Sequence, residues 1–249
     1  MHKPPCEKKR ECKGKLHDAE TMQKITVLLA DDHTLVRQGF RALLEAEPDI
    51  AIVGEAETGR QAVQLAKKLR PDVVLMDIAM PLLNGLEATR QIIKELPGTK
   101  VLVLSSYNDN EYVHQLTEAG AAGYLLKEAV VADLVKAIRE ATKGRTFFSP
   151  AISKRLMDHY RETVVKGVPV KKRSDLLSPR EAEVLQLIAE GNANKNIAAE
   201  LNLSIKTVER HRQRLMNRLG IHDIAGLTRY AISKGVIETG RAVRALQPL

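Results

Sequence analysis

The sequence predicts two modules of different class: a doubly wound parallel α/β domain, then an all-α domain of four helices. Three observations carry this. Between residues 25 and 142, short apolar runs alternate with segments of helical periodicity, the pattern of a parallel sheet covered on both faces. Between 178 and 234 only helical periodicity remains, punctuated by caps and tight-turn residues. The charge divides at the same place: residues 24–146 carry 15 basic and 17 acidic residues, whereas 147–249 carry 18 and 10. An acidic module joined to a basic one points to different partners for the two halves.

The first module reads in order. Ile25–Ala30 is a continuous apolar run, the mark of a strand buried on both faces. Leu35, Phe40, Leu43 and Leu44 follow at helical spacing. Ile50–Val53 is the second strand, and Ala62, Val63, Leu65, Ala66 and Leu69 give the helix after it. Val73–Met76, Val101–Leu104 and Tyr124–Leu126 complete five strands, separated by helical segments Leu86–Leu96, Glu111–Ala119 and Ala132–Thr142. Such units in about 120 residues make one doubly wound domain over 24–146.

Residues 147–175 read as a linker with one helix. Ser149-Pro150 supplies an N-cap and a proline for the first turn, and Ile152, Leu156 and Tyr160 share a face. Val168 to Ser174 has no such face and contains Lys171-Lys172-Arg173. The second module, 176–249, opens on Ser178-Pro179-Arg180-Glu181, a capping box with proline at the first helical position. Val184, Leu185 and Ile188 face its core, and Gly191 ends the helix. Asn194–Leu201 is a short second helix. Asn202-Leu203 makes a turn, and Ser204 caps a third helix through Leu219. That helix turns Val208, His211, Leu215 and Leu219 to the core, leaving Arg210, Arg212, Gln213, Arg214 and Arg218 outside. Asp223–Lys234 is the fourth helix.

Residues 1–23 form a polar extension with no periodic apolar face, expected to be disordered. Met22, just before the first strand, is a candidate start. Cys6 and Cys12 stand near His2 and His17, but five intervening residues do not match the usual two-to-four of a zinc knuckle. Without signs of secretion both thiols are expected to be reduced. No apolar run approaches the roughly 18 residues of a membrane span. With 5 Tyr, 3 Phe and no Trp, a base- or sugar-stacking platform is disfavoured.

Chemistry gathers at the strand ends. The first strand ends at Asp31-Asp32, the third at Asp77, the fourth at Ser105-Ser106 and the fifth at Lys127. In open α/β sheets ligands bind at the carboxyl ends of the strands, so these residues converge on one edge. Clustered carboxylates repel unless a cation neutralises them, and an all-oxygen cluster suits Mg²⁺. A lysine and a hydroxyl facing the same point can hold phosphoryl oxygens. The reading is a magnesium site at which one aspartate accepts phosphate as an acyl phosphate. No G-x-G-x-x-G follows the first strand and no P-loop is present, which excludes both nucleotide-binding readings. A strand-end aspartate is also a common helix N-cap, but four fitting strand ends together are not explained that way.

The segments LLADDH (28–33), MDIAMPLLNG (76–85), VLSS (103–106) and GYLLKE (123–128) resemble the receiver of two-component response regulators. The resemblance covers about residues 24–146 and implies a five-stranded sheet in the flavodoxin-like order 2-1-3-4-5. It implies Asp77 as phosphoacceptor, with Asp31, Asp32, Asp77 itself and the Ala79 carbonyl holding Mg²⁺. It implies Ser105 and Lys127 as phosphoryl ligands, and Tyr124 as an aromatic switch that turns inward when Ser105 moves. Glu128 stands where the family often has proline.

In the second module, two short helices joined by a tight turn, the second basic on its free face, describe a helix-turn-helix for the DNA major groove. SPREAEVLQLIAEG and NKNIAAELNLSIKTVERHRQRLMNRL resemble the LuxR-type motif over about 176–240. The resemblance implies that Thr207, Val208, Glu209, Arg210 and Gln213 face the groove. Lys206, His211 and Arg214 are similar to phosphate or framework positions.

Together the halves resemble the NarL/FixJ group of bacterial response regulators. The resemblance implies a cytoplasmic, phosphorylation-controlled transcription factor and not an enzyme. Its implied partners are a sensor histidine kinase, double-stranded DNA and a second copy when phosphorylated or DNA-bound, with RNA polymerase as a further candidate and no membrane. Two rivals share parts of this pattern: a magnesium-dependent phosphohydrolase using Asp77 as nucleophile, and a constitutive DNA binder whose first module only dimerises.

Overall fold

A computed structural model describes residues 24–105, 115–127, 130–150, 152–154, 157, 177–234 and 236–237. The expectations for the N-terminal extension with Cys6 and Cys12, for Ser106, for the start of the helix 111–119, for the 127–128 peptide and for most of the linker lie outside these residues.

Six strands form one parallel sheet: β1 (Ile25–Ala30), β2 (Ile50–Ala56), β3 (Val73–Asp77), β4 (Lys100–Ser105), β5 (Gly123–Leu126) and β6 (Phe147–Phe148). Their order is β2-β1-β3-β4-β5-β6, with every neighbouring pair parallel. The expected order 2-1-3-4-5 is present. The sixth strand is an addition, because Phe147 was expected to begin the linker. Two residues are too short to show a strand period. They pair because the backbone continues the ladder, Phe147 N–H donating to the Ala122 carbonyl and Ser149 N–H to that of Tyr124. Gly123 permits the approach, since a Cβ there would lie 2.3 Å from the Phe147 oxygen.

Alternation along the strands divides the core into two layers. Leu28, Ala30, Val74, Met76, Val101, Val103 and Tyr124 meet α2 (Gly59–Leu69) and α3 (Gly85–Glu95) on one face. Val27, Leu29, Val73, Leu75, Leu102, Leu104 and Leu125 meet α1 (Thr34–Glu45) and α4 (Val130–Thr142) on the other. One expectation fails in α1. Leu35 is 82% exposed, whereas Arg37 is buried. At about 100° per residue, 37, 40 and 44 share a face and 35 lies opposite it.

The C-terminal module packs α5 (Pro179–Ala189), α6 (Asn194–Glu200), α7 (Ile205–Leu219) and α8 (Ile224–Ser233) around Val184, Leu185, Ile188, Ile197, Val208, Leu215, Leu227 and Ala231. The expected caps are made: Ser178 and Glu181 form a reciprocal capping box, and Ser204 accepts from Thr207 N–H. Asp223, read as the first residue of the fourth helix, is instead its cap and accepts from Gly226 N–H. Asn202, in the turn between α6 and α7, takes the left-handed conformation at φ 50°.

Candidate functional site

The ends of β1, β3, β4 and β5 converge as expected. Asp77 closes β3 with its side chain buried, and its Oδ1 accepts the N–H of Ile78 at 2.9 Å. Asp31 is also buried. Its Oδ1 accepts the N–H of His33 at 2.8 Å, and its Oδ2 receives the Lys127 ammonium at 2.7 Å. Lys127 Nζ lies 3.0 Å from Asp77 Oδ1, so it bridges two of the three aspartates. His33 Nδ1 lies 3.3 Å from Asp31 Oδ1 and 3.1 Å from Asp32 Oδ1. One ligand atom from each of Asp31, Asp32, His33 and Asp77 falls within 4.8 Å of the others.

The electrostatics follow from burial. The Asp77 carboxyl is pushed up to about 6: loss of water raises it most, the Lys127 charge opposes the rise and the neighbouring Asp31 adds to it. Burial opposes the charge on Lys127, but Asp77 and Asp31 outweigh that and hold its pKa above the ordinary lysine value. Three carboxylates, with the His33 imidazole at their edge, make an oxygen-rich donor set that fits a hard divalent cation. Ser105 is buried at the end of β4, and its carbonyl accepts Lys127 N–H at 2.9 Å. Tyr124 is 1% exposed and lies in the core layer with α2 and α3. Ala79, two residues past Asp77, is buried.

In the second module, α7 presents Lys206, Glu209, Arg210, Gln213 and Arg214 to solvent. Thr207 and His211 are half-buried. Burial lowers the His211 pKa, and the Arg180 and Arg214 charges lower it further. Val208 corrects the expectation that it faces the groove: it is fully buried in the core with Leu215, one face of α7 being needed to close the bundle.

Two family models match. The response regulator receiver domain covers residues 27–139, and the luxR family of bacterial regulatory proteins covers 175–231. The transcriptional regulatory protein LiaR of Bacillus subtilis is 42% identical over 207 residues, which are 83% of this chain and 96% of LiaR. The chain is a response regulator of the NarL/FixJ group. The transcriptional regulatory protein DegU of Brevibacillus brevis is 38% identical over 80% of this chain and 89% of its own. The structure of an RcsB–DNA complex aligns with a TM-score of 0.53 at 30% identity, over 85% of this chain and 99% of RcsB. This regulator therefore joins a receiver to a LuxR-type DNA-binding domain, and the phosphohydrolase alternative falls. No helix among its described residues is long and apolar enough to cross a membrane.

The structure also brings together residues that sequence reasoning missed. The loop that follows Asp77 is gripped by α5 of the output domain. Gln186, 1% exposed, accepts Asn84 N–H at 2.8 Å and donates its Nε2 to the Met80 carbonyl at 2.8 Å. Glu190 accepts Leu82 N–H at 3.2 Å. Leu82, at a left-handed φ of 66°, packs against the output core. Arg60 on α2 pairs with Glu200 at 3.2 Å and Glu183 at 3.6 Å. Nothing in a helical period marks Gln186 as different from any other buried glutamine. Its partners are backbone groups 102 and 106 positions away.

Arg37 is the other missed residue. Its Nη1 donates to the Asp31 carbonyl at 2.7 Å, its Nε to Glu55 at 3.2 Å and its Nη2 to Glu57 at 2.6 Å. A charged residue on the apolar face of α1 was the available signal.

Proposed function

We propose that this regulator is switched by phosphorylation of Asp77. The observation that carries the reading is the buried Asp77 carboxylate with Lys127 at 3.0 Å and Asp31 and Asp32 beside it. One Asp77 Oδ attacks the phosphorus of a phosphohistidine on a sensor kinase. The new O–P bond forms as the N–P bond breaks, and the departing imidazole takes a proton from solvent. Asp31, Asp32, Asp77 and the Ala79 carbonyl would hold Mg²⁺, which when bound would neutralise the carboxylates and the phosphoryl oxygens. Lys127 pairs with the phosphoryl group, and the Ser105 hydroxyl donates to it. Movement of Ser105 toward that group shifts Tyr124 and the surface around β5.

The switch is built from a receiver whose sheet runs through β6 at Phe148, a linker to 175 and the output domain beyond. Phosphorylation loosens the contact between receiver and output domain and favours a dimer on paired DNA half-sites about one helical turn apart. Such a dimer works in the cytoplasm, where operator and RNA polymerase are found.

Acetyl phosphate with Mg²⁺ tests the acceptor. Wild type is expected to become labelled and Asp77→Asn to stay unlabelled; equal labelling of the two overturns the assignment. Mg²⁺ alone is expected to raise the thermal midpoint of wild type, since an ion that binds only the folded state stabilises it. Asp31→Asn with Asp32→Asn is expected to abolish that rise.

A further inference from the structure

α7 carries two adjacent rows of exposed side chains that the fold does not use. Residues four apart lie above one another on a helix. Lys206, Arg210 and Arg214 make one row. The other two arginines of α7 are tied to neighbouring helices, Arg212 to Asn194 of α6 at 2.7 Å and Arg218 to Glu181 of α5 at 2.7 Å. Ile205, Glu209 and Gln213 make the neighbouring row. Ile205, the first residue of the helix, is 46% exposed, and Glu209 and Gln213 are exposed beside it. Gln213 donates its Nε2 to Asn217 at 2.9 Å, one turn further along the same row.

The rows differ in what they can bind. Three cations in line suit phosphates. A carboxylate repels phosphate, and an exposed isoleucine gains nothing from it. Both fit the floor of the major groove, where an acid accepts from the cytosine N4 amino group, an apolar side chain covers the thymine methyl, and an amide pairs with the N6/N7 edge of adenine.

We infer that this regulator reads its operator through Ile205, Glu209 and Gln213, contacting a thymine methyl, a cytosine amino group and an adenine edge, while Lys206, Arg210 and Arg214 neutralise phosphates. The inference rests on the reading of α7 as the DNA-facing helix. Four residues of helix rise about 6 Å and base pairs stack about 3.4 Å apart, so neighbouring readers fall about two steps apart and the three bases span about five base pairs.

The test is selection of binding sites from random duplexes by the full chain after acetyl phosphate treatment, at fixed salt. Wild type is expected to enrich thymine, cytosine and adenine in that window, each by roughly tenfold over other bases. Glu209→Gln is expected to replace the cytosine preference with adenine, because glutamine presents the amide that pairs with adenine. Ile205→Ala is expected to relax only the thymine position, and Gln213→Ala only the adenine. Thermal midpoints report whether each variant folds. A wild-type consensus without cytosine in the window, or an unchanged consensus for Glu209→Gln, overturns the base assignment. A combined Lys206→Ala, Arg210→Ala and Arg214→Ala variant separates the two readings. If its log–log salt slope drops by about three while Glu209→Gln changes no preference, the base assignment alone falls. If affinity and salt slope match wild type, α7 is not the DNA-facing helix and both fall.

Discussion

Gln186 Nε2 donates to the Met80 carbonyl at 2.8 Å, three residues beyond Asp77 in the chain and across the boundary between the two domains. The oxygen of the same amide accepts Asn84 N–H, so one buried side chain holds the loop between β3 and α3 at two points. Gln186→Ala removes both bonds and leaves a buried carbonyl and N–H without their partner, at a cost of about 1–3 kcal/mol each when no water replaces it. Asn84 keeps its cap on α3 through Glu87 N–H, so the receiver itself is expected to survive. Fluorescence transfer between dyes on receiver and output domain is expected to fall in Gln186→Ala with little change in receiver melting. Unchanged transfer would show that this glutamine does not hold the domains together.

The same contact is expected to respond to pH. Burial raises the pKa of Glu190, assisted by the Glu200 charge, although the bonds from Gln186 and Leu82 N–H pull it down. Burial likewise raises Glu87, with Glu183 adding to the rise and Gln91 and Arg90 opposing it. The cations beside them are Arg60, paired with Glu183 and Glu200, and Arg180, paired with Glu183. A carboxyl whose pKa is higher in the docked form favours docking when protonated. That support is complete below the ordinary carboxylate value and is lost as pH rises through the raised one. Lowering pH from 7.5 toward 5 is therefore expected to tighten the closed form, read by the same fluorescence transfer. Glu190→Gln with Glu87→Gln is expected to flatten the response. A pH profile identical to wild type would place the titration elsewhere.

What the sequence made legible follows from range. The central strands are local patterns, because Val27–Ala30 in β1, Val73–Met76 in β3 and Val101–Leu104 in β4 are apolar runs buried on both faces. The gathering of Asp31, Asp77, Ser105 and Lys127 at one edge follows from topology, since parallel strands place all their carboxyl ends together. β6 was missed because Phe147-Phe148 has no period of its own; its pairing is supplied by the free edge of β5. The domain contact was missed because the receiver meets Gln186 and Glu190 with backbone groups, which every sequence carries, and because Arg60 finds its glutamates only in the other domain. Leu35 and Arg37 exchanged roles because Leu35 is the apolar residue and Arg37 the charged one, yet the buried Arg37 guanidinium finds three acceptors.

Arg37 is expected to position the acidic loop. Its guanidinium ties the Asp31 carbonyl to Glu55 and Glu57, and Glu55 is shared with Arg41. Arg37→Met keeps the stem but frees that carbonyl and removes the charge between the two glutamates, a loss of about 1–3 kcal/mol. Lysine can reach only one of the three acceptors at a time, so Arg37→Lys is expected to recover part of the stability but little of the positioning. The discriminating measurement is Mg²⁺ affinity at a temperature where both variants are folded. A lowered melting point with wild-type Mg²⁺ affinity would reduce Arg37 to a purely structural role.

Gly85 sets the hardest constraint on the site. It opens α3 one residue after the Asn84 cap, and its N–H donates to the Ile78 carbonyl at 2.8 Å. A Cβ at this position would lie 1.9 Å from the Asp77 carbonyl oxygen and 3.0 Å from the Ile78 Cα. Both obstacles are backbone, so no side-chain rotation relieves them. Either β3 gives way at its last residue or α3 moves off the sheet, and each displaces the Asp77 carboxylate. Elsewhere in a helix, replacing glycine by alanine gains about 0.5–1 kcal/mol. Here Gly85→Ala is expected to destabilise the receiver by about 2–4 kcal/mol, in the range of severe steric strain in a core. Labelling by acetyl phosphate is expected to drop even at temperatures where the variant remains folded, because the carboxylate is out of line with Lys127. Gly98→Ala is the control, since nothing lies within 4 Å of a Cβ there. Equal melting and labelling for the two variants would show that the β3–α3 junction does not set the position of Asp77.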